Sequence, residues 1–232
     1  MKEGLLERIT QVGHWRVNYR PVRAATEQLT LARCREVVEK ARVSMRGWDF
    51  PHVSYSRDDK PENGGYENVG DHVENWTDWY GIAEFWRMYR SSQFLSYIAL
   101  REDTMKEEHG NPQVPILEVV STIYSITEFF EFAHRLAGQG LYEAGANISV
   151  TLFGTQGRHL KAGAGKFPFL DARVTSVPKV EINERLHADQ LSSDDYRSAA
   201  VSACLEVFDQ FGWNPARSQI EADQEKFYQR TV

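Results

Sequence analysis

The sequence predicts an α+β fold in which an antiparallel or mixed sheet packs against a long central helix and C-terminal helices. A long helical pattern of apolar residues lies near the middle of the chain, and short alternating segments follow one another on both sides of it. Two further helical patterns close the sequence. Neighbouring strands that do not alternate regularly with helices argue against a βαβ array. The 232 residues suit one compact domain, or two packed halves of about residues 13–112 and 113–232.

The central helix is predicted over residues 115–140, where apolar residues recur at helical spacing for about six turns. Pro115 suits the first helical position, and Gly138 or Gly140 can take the left-handed conformation that ends a helix. A narrow polar stripe follows one side of the helix and consists of Glu118, Ser121, Ser125, Glu128, Glu131 and Arg135. We therefore expect a helix that is mostly buried.

The N-terminal segments predict one strand and one helix after a short lead-in. Residues 1–12 form either a short helix or a linker. Residues 14–20 alternate and stop at Pro21, as a half-buried strand does, with Trp15, Val17 and Tyr19 on one face. Thr30 can cap a helix that runs to about residue 42.

Residues 44–81 have weak periodicity and are followed by a clear hairpin pattern. A short strand is expected at 52–55 and a polar loop at 56–70. Strands at about 84–89 and 94–102 are joined by a turn at 90–93. Trp86 and Met88 share one face of the hairpin, and Phe85 and Tyr89 share the other, so we expect helices or another subunit to cover both faces.

After the central helix, the pattern predicts strands followed by two helices. Residues 147–153 form a strand, 154–157 turn, and 158–162 return antiparallel to it. A further strand is expected at 177–186. A capping-box spacing at 192–195 opens a helix that Gly212 closes, and a last helix covers about 215–228.

Composition and charge exclude several classes of protein. A formal charge of −6 argues against non-specific nucleic-acid binding as the main task, although the first fifty residues are locally basic. Two distant cysteines predict neither a disulfide framework nor a structural zinc site. The first residues lack the apolar region of a signal peptide, and charges interrupt the central helix too often for a membrane span, so we expect a cytoplasmic protein.

Motifs for cofactors and nucleophiles are incomplete. The AGAGKF run suggests a phosphate loop, but Leu160 replaces the first glycine and Phe167 the hydroxyl residue after the lysine. No GxSxG pattern occurs, and both cysteines lie on apolar helix faces. We predict no cofactor and no catalytic residues. A divalent metal site stays open as an alternative, with the candidates Asp49, His52, Asp71, His72, Glu74 and Asp78, and His14 nearby.

The strongest functional signal is a set of aromatic, arginine and aspartate residues in the first half of the chain. Planar rings interleaved with guanidinium groups can form a hot spot for a protein partner, or a pocket where a flat ligand stacks and an arginine fixes its anionic group. The competing interpretation is that the tryptophans fill the core while the charged residues pair at its edge. The predicted binding residues are Arg46, Trp48, Asp49, His52, Trp76, Asp78, Trp79, Trp86 and Arg87.

Four phrases resemble a poorly characterised bacterial region that lies downstream of an AlbA-type, Schlafen-like nucleic-acid- or ATP-binding domain. They are RGWDFPH, EFWRMYRSSQFLSYIALRED, ILEVVSTIYSITEFFEFAHRLAGQGLY and FGWNP. The resemblance covers about residues 13–227 and implies an accessory or sensing module whose effector is another polypeptide, associated with stress response or phage defence. It assigns no catalytic residues, and the upstream domain is not among the 232 residues.

Our preferred hypothesis is a non-enzymatic sensing or adaptor module that binds a protein partner or a small ligand through the aromatic and arginine surface. A homodimer formed through an exposed sheet or helix face is compatible with it. Two alternatives stay open. The first is a metal-dependent hydrolase or nuclease, and the second is a nucleic-acid-binding accessory protein that uses the basic N-terminal segment. No membrane partner is expected.

Overall fold

The computed structural model describes residues 1–25, 27–54, 63–110, 112–163 and 166–229. Within these residues the fold is α+β, with a seven-stranded antiparallel sheet in the order β2-β3-β4-β5-β1-β7-β9 and a small parallel sheet of β6 and β8. The strands are β1 His14–Pro21, β2 Gly64–Val69, β3 His72–Trp79, β4 Ile82–Tyr89, β5 Phe94–Ala99, β6 Ile116–Glu118, β7 Ala146–Phe153, β8 His159–Lys161 and β9 Lys179–Leu186. The helices are α1 Leu5–Thr10, α2 Leu31–Ala41, α3 Arg101–Thr104, α4 Val119–Gly138, α5 Ala188–Ser192, α6 Asp195–Asp209 and α7 Arg217–Tyr228, with a 3-10 turn at Lys106–His109.

Strand β1 lies in the interior of the sheet and joins strands from both halves of the sequence. It pairs antiparallel with β5 on one side and with β7 on the other. Trp15, Val17 and Tyr19 share one face and are buried, as their alternation predicts. The Tyr19 hydroxyl donates a hydrogen bond of 2.7 Å to the Phe129 carbonyl and so ties this face to α4.

The central helix is shorter than predicted because its first residues form a strand. Residues 116–118 pair in parallel with β8, and the Pro115 carbonyl accepts a hydrogen bond of 2.9 Å from the His159 amide. This pairing satisfies backbone groups that a helix would otherwise use, so α4 begins at Val119 and Pro115 is not its first residue. At the other end, Gly140 takes the left-handed conformation, with φ +85°.

Helices cover both faces of the β4–β5 hairpin, as predicted. On one face, Trp86 and Met88 belong to the main core, which also contains the buried phenylalanines of α4. On the other face, Leu5 and Ile9 of α1 pack against Phe85. Removing each of these large side chains from water contributes about 1.5–3 kcal/mol. The lead-in segment is therefore a helix that covers the outer side of the sheet.

Several sequence predictions for the irregular region are wrong. Residues 64–69 form β2 rather than a loop, and β3 was not predicted at all. Its inward-facing residues include polar ones such as Asn75 and Thr77, which hide the alternation of apolar residues. The predicted strand at 52–55 has no regular structure over 52–54, while residues 55–62 lie outside the described residues. The predicted strand 94–102 ends at Ala99 and α3 follows it.

The C-terminal part differs from the predictions at β8 and at the start of α6. The predicted capping box at 192–195 does not form, because Ser192 ends the unpredicted helix α5 and the residue that precedes α6 does not cap it with its side chain. Strands β7 and β9 and helices α6 and α7 form within a few residues of their expected limits, and Thr30 caps α2 by accepting a bond from the Arg33 amide. Strand β8 pairs with β6 and not with β7, because the loop after Gly157 leaves the large sheet. Among the described helices, none combines the length and the hydropathy that crossing a bilayer requires.

Candidate ligand-binding cleft

The sheet separates the predicted binding residues into two groups. In the β3–β4 register, Asn75 lies opposite Trp86 and Trp76 lies opposite Phe85. Side chains alternate along each strand, so Trp79 and Trp86 face the α4 side while Trp76, Asp78 and Arg87 face the α1 side. The fold therefore does not bring the predicted aromatic and arginine residues together on one surface.

The residues on the α1 side have structural partners. The Arg87 Nε donates a hydrogen bond of 2.9 Å to Glu74, and Asp78 forms ion pairs with Lys2 and Arg8. Trp76 packs against the apolar cluster under α1. For this group, the competing interpretation of packed tryptophans and paired charges fits the contacts.

A cleft of about 230 Å³ lies on the α4 side of the sheet, but Trp79, Trp86 and His52 do not line it. Its walls come from the segment after α2, from β4 and β5, and from α4, and the predicted residues among them are Arg46, Trp48 and Asp49. Val43 and Phe50 pair through two backbone hydrogen bonds of 2.7 and 2.9 Å, which close the segment between them into a loop. We call residues 44–49 the Trp48 loop.

Aromatic rings stack at this loop. The ring centroids of Trp48 and His52 are 4.1 Å apart, and those of Trp48 and Trp79 are 6.4 Å apart. Burial lowers the pKa of His52, which favours its neutral form. Trp86 is fully buried, and its indole N–H donates a 2.7 Å hydrogen bond to the His52 carbonyl. Trp86 therefore holds the chain behind the loop and does not offer a binding surface.

Two glutamates anchor the Trp48 loop from opposite walls. On β4, the Glu84 side chain accepts a hydrogen bond of 3.1 Å from the Trp48 indole, and burial raises the pKa of Glu84 to about 7. On α4, Glu128 accepts two bonds of 2.9 and 2.7 Å from Arg46. Burial also raises the pKa of Glu128, although the Arg46 charge opposes this effect. The neutral indole N–H of Trp48 thus attaches the loop to the sheet, and the positively charged Arg46 attaches it to α4.

A third buried carboxyl group, that of Glu102 at the start of α3, lines the same cleft. It accepts a hydrogen bond of 3.2 Å from the Glu118 backbone amide. Burial raises its pKa as well. The cleft therefore combines an aromatic wall with a floor rich in carboxyl groups.

Glu84, Glu102 and Arg101 line the cleft but were not identified from the sequence. For Glu84 a signal existed: it shares a face with Trp86 and Met88 on a predicted strand, and a charged residue on the core face of a strand is unusual. Glu128 was visible in the polar stripe of the central helix, but it was not among the predicted binding residues. Arg101 and Glu102 were predicted to lie at the end of a strand, whereas they form the start of α3 beside the cleft. Their contribution to the cleft was therefore not predicted.

The metal-site candidates are also divided by the sheet. Asp49 and His52 lie beside the Trp48 loop, whereas Glu74 and Asp78 lie on the α1 side. Asp71, which is exposed, and His72 lie at the β2–β3 turn, where the two ring nitrogens of His72 are 2.9 Å from Asp71 and 3.6 Å from Glu74. In the part of the chain that the structure describes, no three histidine, cysteine, aspartate or glutamate side chains come close enough to hold a metal ion.

The basic N-terminal segment carries many internal ion pairs. Within α2, Arg33 and Lys40 contact Glu36, and Arg35 contacts Glu39. Beyond the helix, Arg42 contacts Asp49 at 3.3 Å and Arg46 contacts Glu128 at 2.7 Å. These pairs leave fewer cationic groups free to contact nucleic-acid phosphates.

Comparison with known proteins gives no match. No family model matches the chain, and neither a curated protein nor a solved structure is significantly similar to it. The resemblance to the region downstream of Schlafen-like domains therefore stays a prediction.

Proposed function

We propose that this chain is a non-enzymatic sensing or adaptor module that recognises a small ligand in the cleft beneath the Trp48 loop. The observation that carries the proposal is the double attachment of this loop, through Trp48 to Glu84 and through Arg46 to Glu128, around a cavity that is large enough for a small molecule.

Ligand occupancy and loop position are coupled in this arrangement. A ligand that binds the Glu84 carboxyl group competes with the Trp48 indole for the same acceptor. Once that bond is exchanged, the indole of Trp48 has lost its hydrogen bond to the sheet, while Arg46, the Asp49–Arg42 ion pair and the backbone pairing of Val43 with Phe50 still hold the ends of the loop. A shift of the loop would change the exposure of the neighbouring Trp79, which is 51% exposed. Binding inside the cleft can in this way alter the outer surface, as sensing requires.

A small ligand fits the geometry better than a protein partner does. The predicted residues that the fold brings together line a concavity rather than a protruding patch. Pockets for drug-sized molecules span about 300–1,000 Å³, so a cleft of about 230 Å³ suits a smaller molecule. The stress-response or phage-defence setting rests on the sequence resemblance alone.

Thermal melts with a library of small organic fragments test this proposal, using Trp48→Leu and Trp76→Leu as matched variants. Both remove a half-buried indole from the same sheet region, but only Trp48 lines the cleft. Fragments that raise the melting temperature of the wild type should also stabilise the Trp76 variant and should have no effect on the Trp48 variant. Equal responses from both variants would place the binding site elsewhere and refute the proposal.

A further inference from the structure

The pairing of buried carboxyl groups differs between the cleft and the rest of the molecule. Six glutamate and aspartate residues are buried in the described part of the chain, and four of them contact a cationic side chain. These four pairs are Glu74–Arg87 at 2.9 Å, Glu128–Arg46 at 2.7 Å, Glu131–Arg135 at 2.7 Å and Asp223–Lys166 at 2.7 Å. The other two residues, Glu84 and Glu102, have no such partner among the described residues, and both line the cleft.

The donors that Glu84 and Glu102 do have are neutral. Glu84 accepts from the Trp48 indole and Glu102 from the Glu118 backbone amide. A neutral donor compensates only part of the cost of removing a carboxylate from water. Their side chains are only 5% and 3% exposed, so solvent compensates little of the remainder. A bound cation would compensate the charge of Glu84 and Glu102, as arginine or lysine side chains do for the other four buried carboxylates.

The other charged groups around the cleft are either occupied or exposed. Arg46 is committed to Glu128 and Ser125, and Asp49 contacts Arg42. Arg101 is exposed, and its guanidinium lies 5.9 Å from the centroid of the Trp48 ring. Its charge reaches Glu84 only at longer range.

The remaining charged side chains at the cleft do not balance its floor. His109 is near Glu102 and contacts Glu118 at 3.3 Å, while Glu108 adds another carboxylate. The buried groups at the cleft that lack a cationic partner are therefore carboxyl groups, and a bound cation would stabilise their ionised form. An anionic ligand would meet Arg101 at the surface but would be repelled by the floor of the cleft.

We propose that the ligand of this cleft is a small organic cation, a primary amine or guanidinium on a short aliphatic or single-ring body. Its cationic group binds Glu84, in the negative potential to which Glu102 contributes, and its body packs against the Trp48 ring. This inference rests on the function proposed above and adds the chemical class of the ligand. The cavity volume of about 230 Å³ limits the ligand to a small body.

Isothermal titration calorimetry with matched probes tests the charge of the ligand. Benzylamine, benzyl alcohol and benzoate share one ring and differ in charge, and butylamine, butanol and butyrate form a second, aliphatic set. We expect at least one of the two amines to bind the wild type at least about tenfold more tightly than the alcohol of the same skeleton, because a charge-assisted bond to Glu84 is lost in the alcohol. The carboxylates should not bind.

Two variants locate the cation at Glu84. Glu84→Gln removes the buried charge and keeps the size of the side chain, so amine affinity should fall at least about tenfold. The same variant should melt at a higher temperature than the wild type in the absence of ligand, which shows that it folds. Asp71→Asn removes a carboxylate that is exposed at the far turn of the sheet and should bind the amines as the wild type does.

The outcomes distinguish this inference from the proposed function. Tighter binding of the alcohols or carboxylates that still requires Trp48 would refute the cation and keep the cleft as the binding site. Amine affinity unchanged in Glu84→Gln would also refute the inference. If neither amine binds, the inference is wrong, and the fragment melts decide separately whether the cleft binds any small ligand.

Discussion

The indole N–H of Trp48 donates a 3.1 Å hydrogen bond to the Glu84 carboxyl group, which joins an irregular loop to the core face of strand β4. The two residues are 36 positions apart in the sequence. On the other side of the cleft, Arg46 contacts Glu128 of α4. These two contacts fix the Trp48 loop to opposite walls of the cleft.

The pH dependence of stability should reveal the burial of Glu84. Its pKa in the folded protein is about 7 against an ordinary value of 4.5, so the folded state binds the proton more tightly than the unfolded state does. The unfavourable contribution of Glu84 is therefore absent below pH 4.5, grows as the pH rises, and is complete above pH 7. Glu84→Gln should be more stable than the wild type by up to roughly 3 kcal/mol at pH 8, and by much less at pH 5.

Urea unfolding of both proteins at several pH values measures this difference. Comparison of the two proteins cancels the titrating groups that do not interact with Glu84. The Glu128 carboxylate and the Arg46 and Arg101 guanidinium groups act on Glu84, so their interaction with it is part of the measured difference. A difference in unfolding free energy that stays constant from pH 5 to pH 8 would contradict the prediction.

Removal of the Arg46 charge should destabilise the protein because it leaves Glu128 buried without its cation. Glu128 is only 2% exposed and accepts both of its charged hydrogen bonds from Arg46. We expect Arg46→Met to lower the free energy of unfolding by about 3 kcal/mol at neutral pH. The double variant Arg46→Met with Glu128→Gln should recover much of this loss. Equal instability of the single and double variants would show that the ion pair is not the cause.

Arg158 should be a major contributor to the stability of the smaller sheet. Its guanidinium is 2% exposed and binds Asp103 through two hydrogen bonds of 2.9 and 2.6 Å, and it also donates to the carbonyls of Ile116 and Gly154. Arg158→Met leaves these acceptors unsatisfied and should cost about 3–5 kcal/mol in denaturant unfolding.

The exposed pair of Arg217 and Glu221 offers a matched control for Arg158. These two side chains are 40% and 51% exposed. Arg217 also donates to Ser198 and Ser202, but water can replace the bonds of an exposed guanidinium, so Arg217→Met should cost no more than about 1 kcal/mol. Similar losses in the two variants would mean that burial does not determine the effect.

Both cysteines should react slowly with thiol reagents while the protein is folded. Cys34 and Cys204 are buried, and burial raises the pKa of both thiols, to about 11 for Cys34. Because only the thiolate attacks, labelling by a disulfide reagent at pH 8 should become complete only after denaturant is added. Fast labelling of the native Cys204→Ser variant would show that Cys34 is accessible.

The local pattern of the sequence accounts for much of the fold. Alternation placed Trp15, Val17 and Tyr19 on the buried face of β1, and the hydroxyl of Thr30 indicated the start of α2. These features depend on neighbouring residues, whose spacing is visible in the sequence. The start of α4 was misplaced because residues 116–118 pair with β8, a segment about forty positions away.

The candidate site was only partly predictable. The segment that contains Arg46, Trp48 and Asp49 was predicted to bind a partner or ligand, and these three residues line one cleft. Trp76 and Arg87 are of the same residue types as Trp48 and Arg46, yet they lie on the α1 side of the sheet. The reason is that neighbouring side chains on a strand point in opposite directions. That separation required the register of β3 and β4, and β3 itself was not recognised.

The sequence by itself determined the α+β class and the buried helix in the middle of the chain, because both follow from the spacing of apolar residues along the chain. Only the tertiary structure decided which charges meet. Arg46 reaches Glu128 across 82 positions, and Glu84 and Glu102 reach the same cleft without a cation of their own. Local spacing contains no information about such long-range pairs, and the compensation of a buried charge depends on them.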